Sequence, residues 1–350
     1  MYPSPGAYPS ASRSAREGIT SLPFNVRATD VVRHIVNVDS RFRDTPQITT
    51  PSDYYFSLLS PIRNVLRVRI TSIEFPNNYL FFNKTRRNVS LRFLTGSSPA
   101  TATIITIPDG NYTPDQMVDA INIAITTSPD ATALDTIDLT ASYDASTASF
   151  TFTATQSFKI DTVGIEAIPD TSSRGCTSYM TGWDRPFDYG LAYYLGFGRG
   201  VFEAIDASGA PVSYSITSSA CANFSGDQYL FLRVNDYASV NQTVSVYDST
   251  FLPEKRQRNE FTALAKLVLR EPKNSVIFDD YAGQHIKEFV FTAPTDLSRL
   301  HIQLVDAYGQ AVDMCSTQFS FSLEVLEVRN LALYDAIRDS LLTLTGHPSS

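Results

Sequence analysis

A glycine-rich segment is the first part of this 350-residue chain whose residue types could do chemistry. Gly196-Phe-Gly-Arg-Gly200 could present backbone amides to a phosphate group. However, it lacks the Lys-Ser or Lys-Thr ending of a P-loop and the G-x-G-x-x-G spacing of a dinucleotide-binding turn. We therefore interpret it as a flexible turn. The aromatic run that overlaps it, residues 191–197, is expected in the core.

Histidine and cysteine side chains could hold a metal ion, but their spacing does not favour a site. The sequence contains no H-x-H, H-x-x-x-H or C-x-x-C pair. We therefore expect no metal and no other cofactor, with reduced and buried cysteines. His301, which lies beside Gln303 on the polar side of a predicted strand, should be a hydrogen-bonded surface residue. The residues considered are His34, His285, His301, His347, Cys176, Cys221 and Cys315.

Paired carboxylates could do acid and base chemistry. Asp279 and Asp280 follow Phe278, and we expect them in a turn, where carboxylates commonly cap backbone amides. A calcium site would need further oxygen ligands nearby in the sequence. A glycosidase-type pair of opposed carboxylates stays open, because nothing in the sequence selects two residues. Our expectation is that the chain is not an enzyme.

An arginine cluster near the amino terminus is the polar feature that carries our functional hypothesis. Arg67 and Arg69 point the same way from one predicted strand, so their planar guanidinium groups could bind a neighbour's carboxylates at two points. A solvated strand face is an equally good interpretation. The other arginines of the cluster are Arg41, Arg43, Arg63, Arg86, Arg87 and Arg92.

The charge is distributed unevenly along the chain. Through Arg92 there are thirteen Lys and Arg against six Asp and Glu, an excess of seven positive charges, so the remaining residues carry fifteen net negative charges within the total of −8. Nucleic acid or anionic lipid could explain this asymmetry. We favour protein contacts, because arginine is enriched in protein interfaces and the chain has no dense basic run.

The elements that must position these residues are mainly strands. Aromatic and β-branched residues are plentiful, and turn signals recur at short intervals, which predicts an all-β antiparallel sandwich. Two strands should join through Ser60-Pro61, the apolar phase slips after Ile70 at a bulge or a doubly covered stretch, and Pro76 ends the strand. The predicted strands are residues 31–38, 53–59, 65–75, 89–94, 103–107, 149–152, 229–234, 244–247, 261–269, 288–292, 300–305 and 319–328.

Helices are predicted at two places. Thr113 and Gln116 form a capping box around Pro114, which predicts a helix that packs on a sheet through an apolar face. A second amphipathic helix is predicted at residues 331–344, and we expect it to dock on a partner rather than fold back. The apolar faces contain Met117, Val118, Ile121, Ala124 and Ile125 in the first helix and Tyr334, Ile337, Leu341 and Leu344 in the second.

The chain divides into three predicted parts. Residues 1–30, rich in Pro, Ser, Gly and Ala, predict an extended arm with Arg13 and Arg16, held by a neighbouring subunit or packed on its own domain. Residues 31–330 form the β-sandwich, which we expect to be one sandwich with an elaborated middle, two sandwiches being the alternative. Residues 331–350 form the carboxy-terminal helix and tail.

Several motifs follow one another in order along the chain. They are Val36-Asn-Val-Asp-Ser-Arg-Phe-Arg-Asp44, residues 52–61 and 65–77, Ile107-Pro-Asp-Gly-Asn-Tyr-Thr-Pro114, residues 229–236, residues 300–309 and residues 319–325. Together they resemble minor capsid proteins of nucleocytoplasmic large DNA viruses, the giant-virus group, in which a D-S-R-x-R-D turn precedes a strand reading S-D-x-x-x-x-L and then a strand ending in P-N. The resemblance spans roughly residues 35–328.

The resemblance implies a jelly-roll-like fold and a structural role in an icosahedral shell. The expected partners are the major capsid protein, other minor capsid proteins and further copies of this chain, with an internal viral membrane left open. The expected location is the virion after synthesis in the host cytosol, since no apolar run approaches the ~20 residues of a membrane span. A penton at the vertex, or a virion-surface module that binds a glycan or receptor, is the alternative.

Overall fold

The structure, a computed structural model, describes residues 31–96, 101–127, 132–163, 190–206, 213–235, 237, 240–247, 256–279 and 287–330. The predicted arm and the predicted carboxy-terminal helix lie outside the described residues. The same holds for the remaining candidates Arg13, Arg16, Tyr334, Ile337, Leu341, Cys176, His285 and His347.

Within the described residues the chain forms seventeen strands, three helices and one 3-10 turn at Ser40–Phe42. The strands are β1 Val31–Asp39, β2 Asp53–Pro76, β3 Ser90–Thr95, β4 Thr101–Thr106, β5 Thr140–Asp144, β6 Ser149–Ala154, β7 Phe158–Asp161, β8 Val201–Glu203, β9 Ile205–Asp206, β10 Tyr214–Thr217, β11 Tyr229–Val234, β12 Val240–Tyr247, β13 Arg256–Ala263, β14 Ala265–Val268, β15 Val276–Asp279, β16 Glu288–Val305 and β17 Ser320–Val328. The helices are α1 Pro114–Thr127, α2 Thr132–Asp135 and α3 Leu191–Tyr194.

The strands build curled antiparallel sheets in a sandwich-like arrangement, which confirms the predicted all-β antiparallel sandwich. A seven-stranded sheet has the order β1-β17-β2-β16-β11-β14, with β15 paired to the far end of β2. Two four-stranded sheets, β4-β3-β7-β8 and β5-β6-β10-β9, come from the middle of the chain. The largest hydrophobic cluster contains buried residues from all three sheets. The elaborated middle therefore packs on the same core as the long strands.

β2 corrects the prediction of two strands joined at Ser60-Pro61. It is one strand of 24 residues, and its pairing with β16 shifts register around Pro61. The paired positions jump from Ile62 to Ser57, so Pro61 lies where the ladder has no pair and its missing N–H costs no hydrogen bond there. Of the two alternatives for the phase slip after Ile70, a bulge or a doubly covered stretch, the structure shows a bulge, because β17 skips Thr71 in its pairing with β2.

Other strand boundaries also differ from the predicted ones. Residues 288–292 and 300–305 belong to the single strand β16, whereas residues 261–269 divide between β13 and β14. Asp279 ends β15 rather than lying in a turn. The short strands β5, β7, β8, β9, β10 and β15 were not predicted, because two to five residues give too little alternation to detect.

The helix α1 begins as the capping box predicts. The Thr113 backbone N–H donates to Gln116 Oε1 at 3.0 Å, and the Gln116 N–H donates to Thr113 Oγ1 at 3.3 Å. The helix packs against β4 and β5. Asn122 on α1 accepts the Ala141 N–H of β5 at 2.8 Å and donates to the Ala141 oxygen at 3.1 Å. Its side-chain amide therefore makes the two hydrogen bonds that a neighbouring strand would otherwise make. The buried face of α1 consists of Met117, Ile121, Ala124 and Ile125, with Val118 half-buried.

Candidate interaction surface

The turn after β1 holds its own arginines in fixed positions. Asp39 accepts the Arg41 backbone N–H at 2.8 Å and the Arg41 guanidinium at 2.5 Å, and the guanidinium hydrogen bond holds the Asp39 pKa below its usual value despite partial burial. Arg43 donates to Ser40 O at 2.7 Å and to Gln318 Oε1 at 3.0 Å. The D-S-R-F-R-D block is therefore a self-braced turn tied to the start of β17.

The same turn presents a cation and an aromatic ring to solvent. Phe42 is 72% exposed, and the Arg41 guanidinium carbon lies 5.9 Å from the centre of its ring. The sequence prediction named Arg41 but missed Phe42. Phe42 lies between Arg41 and Arg43 in a turn, outside the alternating pattern of a strand. This position was the signal in the sequence that its ring could be exposed.

Arg67 and Arg69 bind a carboxylate of their own chain, Glu324, whereas the prediction was a carboxylate of a neighbouring subunit. Glu324 lies directly opposite Arg69 across β17 and β2, which makes them a cross-strand pair on one sheet face. Its oxygens are 3.0 Å from Arg67 and 2.8 Å from Arg69, and Arg33 of β1 lies at 3.3 Å. Arg67 also lies 3.5 Å from Glu288 of β16.

The centre of this ion cluster is buried, whereas Arg33 at its rim is 53% exposed. The side chains of Arg67 and Glu324 are 2% and 3% exposed. A carboxylate surrounded by three guanidinium groups joins strands β1, β17 and β2, and Glu288 adds β16. The described conformation therefore gives Arg67 an internal structural role, and the interface role assigned to it and to Arg69 stays a prediction.

Arg86 forms a second buried cluster in the loop after β2. One guanidinium nitrogen contacts Asp227 at 2.7 Å and Asp306 at 2.9 Å, which precede β11 and follow β16. The guanidinium also lies 4.8 Å from the Phe81 ring centre. Burial alone would lower the pKa of Arg86, but the two carboxylates raise it above its ordinary value. Arg86 thus links the loop after β2 to the segments before β11 and after β16.

Lys273 stands beside this second cluster. Its amino group lies 3.3 Å from the centre of the Tyr79 ring and donates to the Tyr79 backbone oxygen at 3.3 Å. Burial lowers the pKa of Lys273 to about 7, with Asp227 opposing and Arg86 reinforcing the effect. Burial likewise raises the pKa of Tyr79. The lysine therefore titrates near neutral pH in a place where its charged form is poorly hydrated.

The remaining arginines of the cluster lie apart. Arg63 is exposed on β2, and Arg87 is half-buried with a positive φ of 58°. Arg92 on β3 pairs with Asp161 on β7 across the smaller sheet. The eight predicted arginines thus occupy several sites rather than one continuous basic surface.

His301 lies at the surface of the large sheet, beside Asp53 and Tyr55. His301 contacts Asp53 at 2.8 Å and stacks on Tyr55 with ring centres 4.4 Å apart, which confirms a hydrogen-bonded surface residue. Arg299 covers the Tyr55 ring at 4.1 Å and reaches Asp44 at 3.1 Å. Among the described residues, no group of three or more His, Cys, Asp or Glu side chains could hold a metal ion.

Two further expectations need correction. Cys221 and Cys315 are free thiols, but both are exposed rather than buried. The segment 196–200 is a turn but not a loose one, since Thr162 Oγ1 bonds the oxygens of Gly198 and Gly200. Gly196 has a φ of +88°, and a Cβ there would lie 2.0 Å from the Ala220 oxygen. The run at 191–197 is core as predicted, with Tyr193 the exposed member.

The outer end of β2 carries an apolar strand edge that the sequence did not reveal. Val276 and Phe278 on β15 are 61% and 64% exposed, while Ile277 between them is buried. Beside them lies a cleft of about 210 Å³. The cleft is lined by Asp39, Arg41, Glu74, Pro76, Val276, Gln318, Phe319 and Ser320. Exposed apolar groups and the Arg41–Phe42 turn thus share one end of the large sheet.

Within the part of the chain that the structure describes, no helix is long and apolar enough to cross a membrane. No protein-family model and no curated protein sequence matches this chain. Among solved structures, a crystal structure of the selenomethionine-labelled mavirus penton protein is similar, with a TM-score of 0.39 and 9% sequence identity. That alignment covers 85% of this chain and 98% of the penton chain.

Proposed function

We propose that this chain is a structural protein in the capsid of a large icosahedral DNA virus, a minor component that contacts the major capsid protein and other minor capsid proteins. The observation that supports this proposal is where the capsid-like motifs lie. Those at residues 36–44, 52–77, 300–309 and 319–325 belong to β1, β2, β16 and β17, which are neighbours in one sheet. The motif at residues 229–236 adds β11 to the same sheet.

The proposed mechanism is geometric. Buried ion clusters around Glu324 and Arg86 fix the strands and loops of the large sheet from within. A sheet held in this way presents surface groups such as Phe42 and Phe278 in constant positions. Many modest contacts of this kind add up when copies repeat on a shell. The chain would then act in the virion, after synthesis in the host cytosol.

Cross-linking mass spectrometry on the assembled source particle tests this function. Lys84 is exposed in the loop after β2 and serves as one reactive site, with the amino-terminal residues as the other. We expect links to the major capsid protein and to other copies at defined positions. A protein absent from particles, or present without such links, would contradict the proposal.

Deletion of residues 1–30 tests the part that the arm plays. We expect the truncated chain to stay soluble and folded but to lose assembly with its capsid partners. Circular dichroism and thermal unfolding of the truncated chain are the control, because loss of assembly through unfolding would not support an arm function. An arm-deleted chain that enters particles normally would argue against the proposal.

Alternative roles within the virion lead to different results. A penton would link to other copies around the fivefold vertex and to the major capsid protein at one position. A surface module that binds a glycan or receptor would use an exposed aromatic side chain, and Tyr55, which is 40% exposed beside Arg299 and His301, is a candidate. Loss of cell or glycan binding in Tyr55→Ala, with particle assembly unchanged, would favour that role.

A further inference from the structure

Among the described residues, β15 is an edge strand that pairs on one side only. It pairs with β2 from Val276↔Pro76 to Asp279↔Ile73, and no other described strand pairs with it. Its alternation places Val276 and Phe278 on the exposed face and Ile277 in the protein. An edge with free backbone groups and exposed apolar side chains is a template for another strand.

The sheet face next to β15, on the side where β15 pairs with β2, is apolar and carries a small excess of acidic charge. The adjoining cleft contains Pro76 and Phe319, together with the charged residues Asp39, Glu74 and Arg41, which sum to one negative charge. The sequence beyond Phe278 continues with two aspartates. An extended segment that alternates apolar side chains and carries positive charge is complementary to such a surface. A second β15 edge is less suitable, because it brings the same acidic groups.

The chain itself contains a segment with these properties. Residues 20–27 read Thr-Ser-Leu-Pro-Phe-Asn-Val-Arg. Leu22, Phe24 and Val26 recur every second residue and would share one face of a strand, next to the positive charge of Arg27. The backbone groups of residues 22, 24 and 26 would point to one side of this strand, towards its partner, and those of Pro23 to the other side. The N–H that Pro23 lacks would therefore face away from the partner strand, as is allowed in an edge strand.

The stretch of chain between Val26 and β1 is too short for Val26 to reach β15 of the same molecule. β1 starts at Val31, next to the end of β17 that pairs with Val65 of β2, whereas β15 pairs with β2 at residues 73–76. Eight strand residues and three strand spacings separate the two places, roughly 30 Å. The five residues from Val26 to Val31 span at most about 17 Å. For Val26 to lie on this edge, the segment must therefore come from another molecule.

We propose that residues 20–27 of a second copy of this chain add a strand to the free edge of β15. The proposal rests on the capsid function, since it names the receiving surface for the arm. It makes Val276 and Phe278 the residues that receive the arm, and it makes Leu22, Phe24 and Val26 the residues that insert. Each such contact joins two different surfaces, the arm of one copy and β15 of the next, so it can repeat from copy to copy around a ring or lattice.

The test is site-specific photo-cross-linking of the full-length chain. A benzoylphenylalanine replaces Phe278, and equal amounts of isotopically light and heavy protein are mixed before irradiation. We expect cross-links from position 278 to residues 20–27 that join one light and one heavy copy. Position 268 is the matched control: Val268 is 48% exposed on β14, at the opposite end of the large sheet, beside the basic residues Lys266 and Arg270. It should give no links to residues 20–27.

Each other result overturns the inference. Four results would show that the arm of a second copy does not bind at β15. They are links within one copy, links to residues 331–350, links between two β15 strands, and no links from position 278. If arm deletion still abolishes assembly in that case, the capsid proposal stands and the receiving surface lies elsewhere. If the expected links form but the chain is absent from particles, the capsid proposal fails and the strand exchange stands.

Discussion

Arg67 and Arg41 come from the same arginine-rich part of the chain but end in opposite environments. Arg67 is buried against Glu324 and Glu288, whereas Arg41 lies exposed beside Phe42 and bonds Asp39 within its own turn. The difference is made by residues more than two hundred positions away, because β16 and β17 bring carboxylates to Arg67. Whether an arginine serves the fold or the surface thus depends on which strand becomes its neighbour.

The two environments have different energetic consequences. Removing one partner of a buried ion pair leaves a charge without solvent or counter-charge, which costs about 3–5 kcal/mol. Exposed ion pairs contribute about 0.2–1 kcal/mol, because water solvates both groups when the pair separates. The comparison therefore predicts a graded series of substitutions.

The largest effect is expected for Glu324→Gln. The substitution leaves Arg67, Arg69 and Arg33 around a neutral amide, so we expect the free energy of unfolding to fall by about 3–5 kcal/mol. Urea denaturation measures the change. Glu327→Gln, on the same strand but partly exposed beside His34, is the matched control and should cost under about 1 kcal/mol. Equal losses in the two variants would contradict the comparison.

The next effect concerns pH. Lys273 has a pKa of about 7 in the folded protein and 10.5 as its ordinary value, so between these values the unfolded chain binds a proton that the folded chain has released. Stability should therefore rise with pH in this window, by about 2 kcal/mol between pH 7 and 9. Lys273→Met should abolish this rise in urea denaturation series.

Lys266 offers a matched control for that experiment. Its amino group also lies over a tyrosine ring, 3.7 Å from the centre of Tyr229, but the side chain is exposed. We expect Lys266→Met to retain the pH profile of the unsubstituted protein. A profile that is flat in both variants would assign the pH dependence to something other than burial.

A smaller effect is expected at the exposed pair between Arg299 and Asp44. Arg299→Met removes the 3.1 Å contact, while Asp44 keeps its hydrogen bond from Ser57 Oγ at 2.7 Å. We expect a loss of about 0.2–1 kcal/mol that shrinks further at high salt. A loss as large as that of Glu324→Gln would show that exposure does not separate the two classes of pair.

The smallest effect on stability is expected at the exposed turn after β1, which we expect to contact capsid partners. Phe42→Ser changes one side chain that is 72% exposed and leaves the Arg41–Asp39 pair in place, so the free energy of unfolding should stay within about 0.5 kcal/mol. Incorporation into particles should fall nonetheless, as measured by particle sedimentation and immunoblotting. Normal incorporation would remove this turn from the contact surface.

The sequence predicted those features that depend on nearby residues. The α1 capping box spans Thr113 to Gln116, and the alternation in β1 and β17 spans nine residues each, so local patterns were sufficient. The burial of Arg67 could not be predicted in this way. Its partner Glu324 is 257 positions along the chain, and strand order decides that they meet.

The exposed edge was missed for a different reason. β15 has four residues, and Val276-Ile-Phe278 gives no alternation between apolar and polar types, although exposure alternates in the fold. The continuity of β2 was missed because Pro61 normally argues against a strand interior. Only the register of β16 shows that no ladder bond is needed at that position.

The position of β2 in the large sheet has a consequence for the making of the protein. Its 24 residues are synthesised early, yet its partners β16 and β17 begin at Glu288 and Ser320. At about 5–20 residues per second, a ribosome needs roughly ten seconds or more to reach them. During that interval the nascent chain carries an apolar strand with most of its partners missing. A ribosome stalled before residue 288 would therefore release an aggregation-prone fragment rather than a partly useful one.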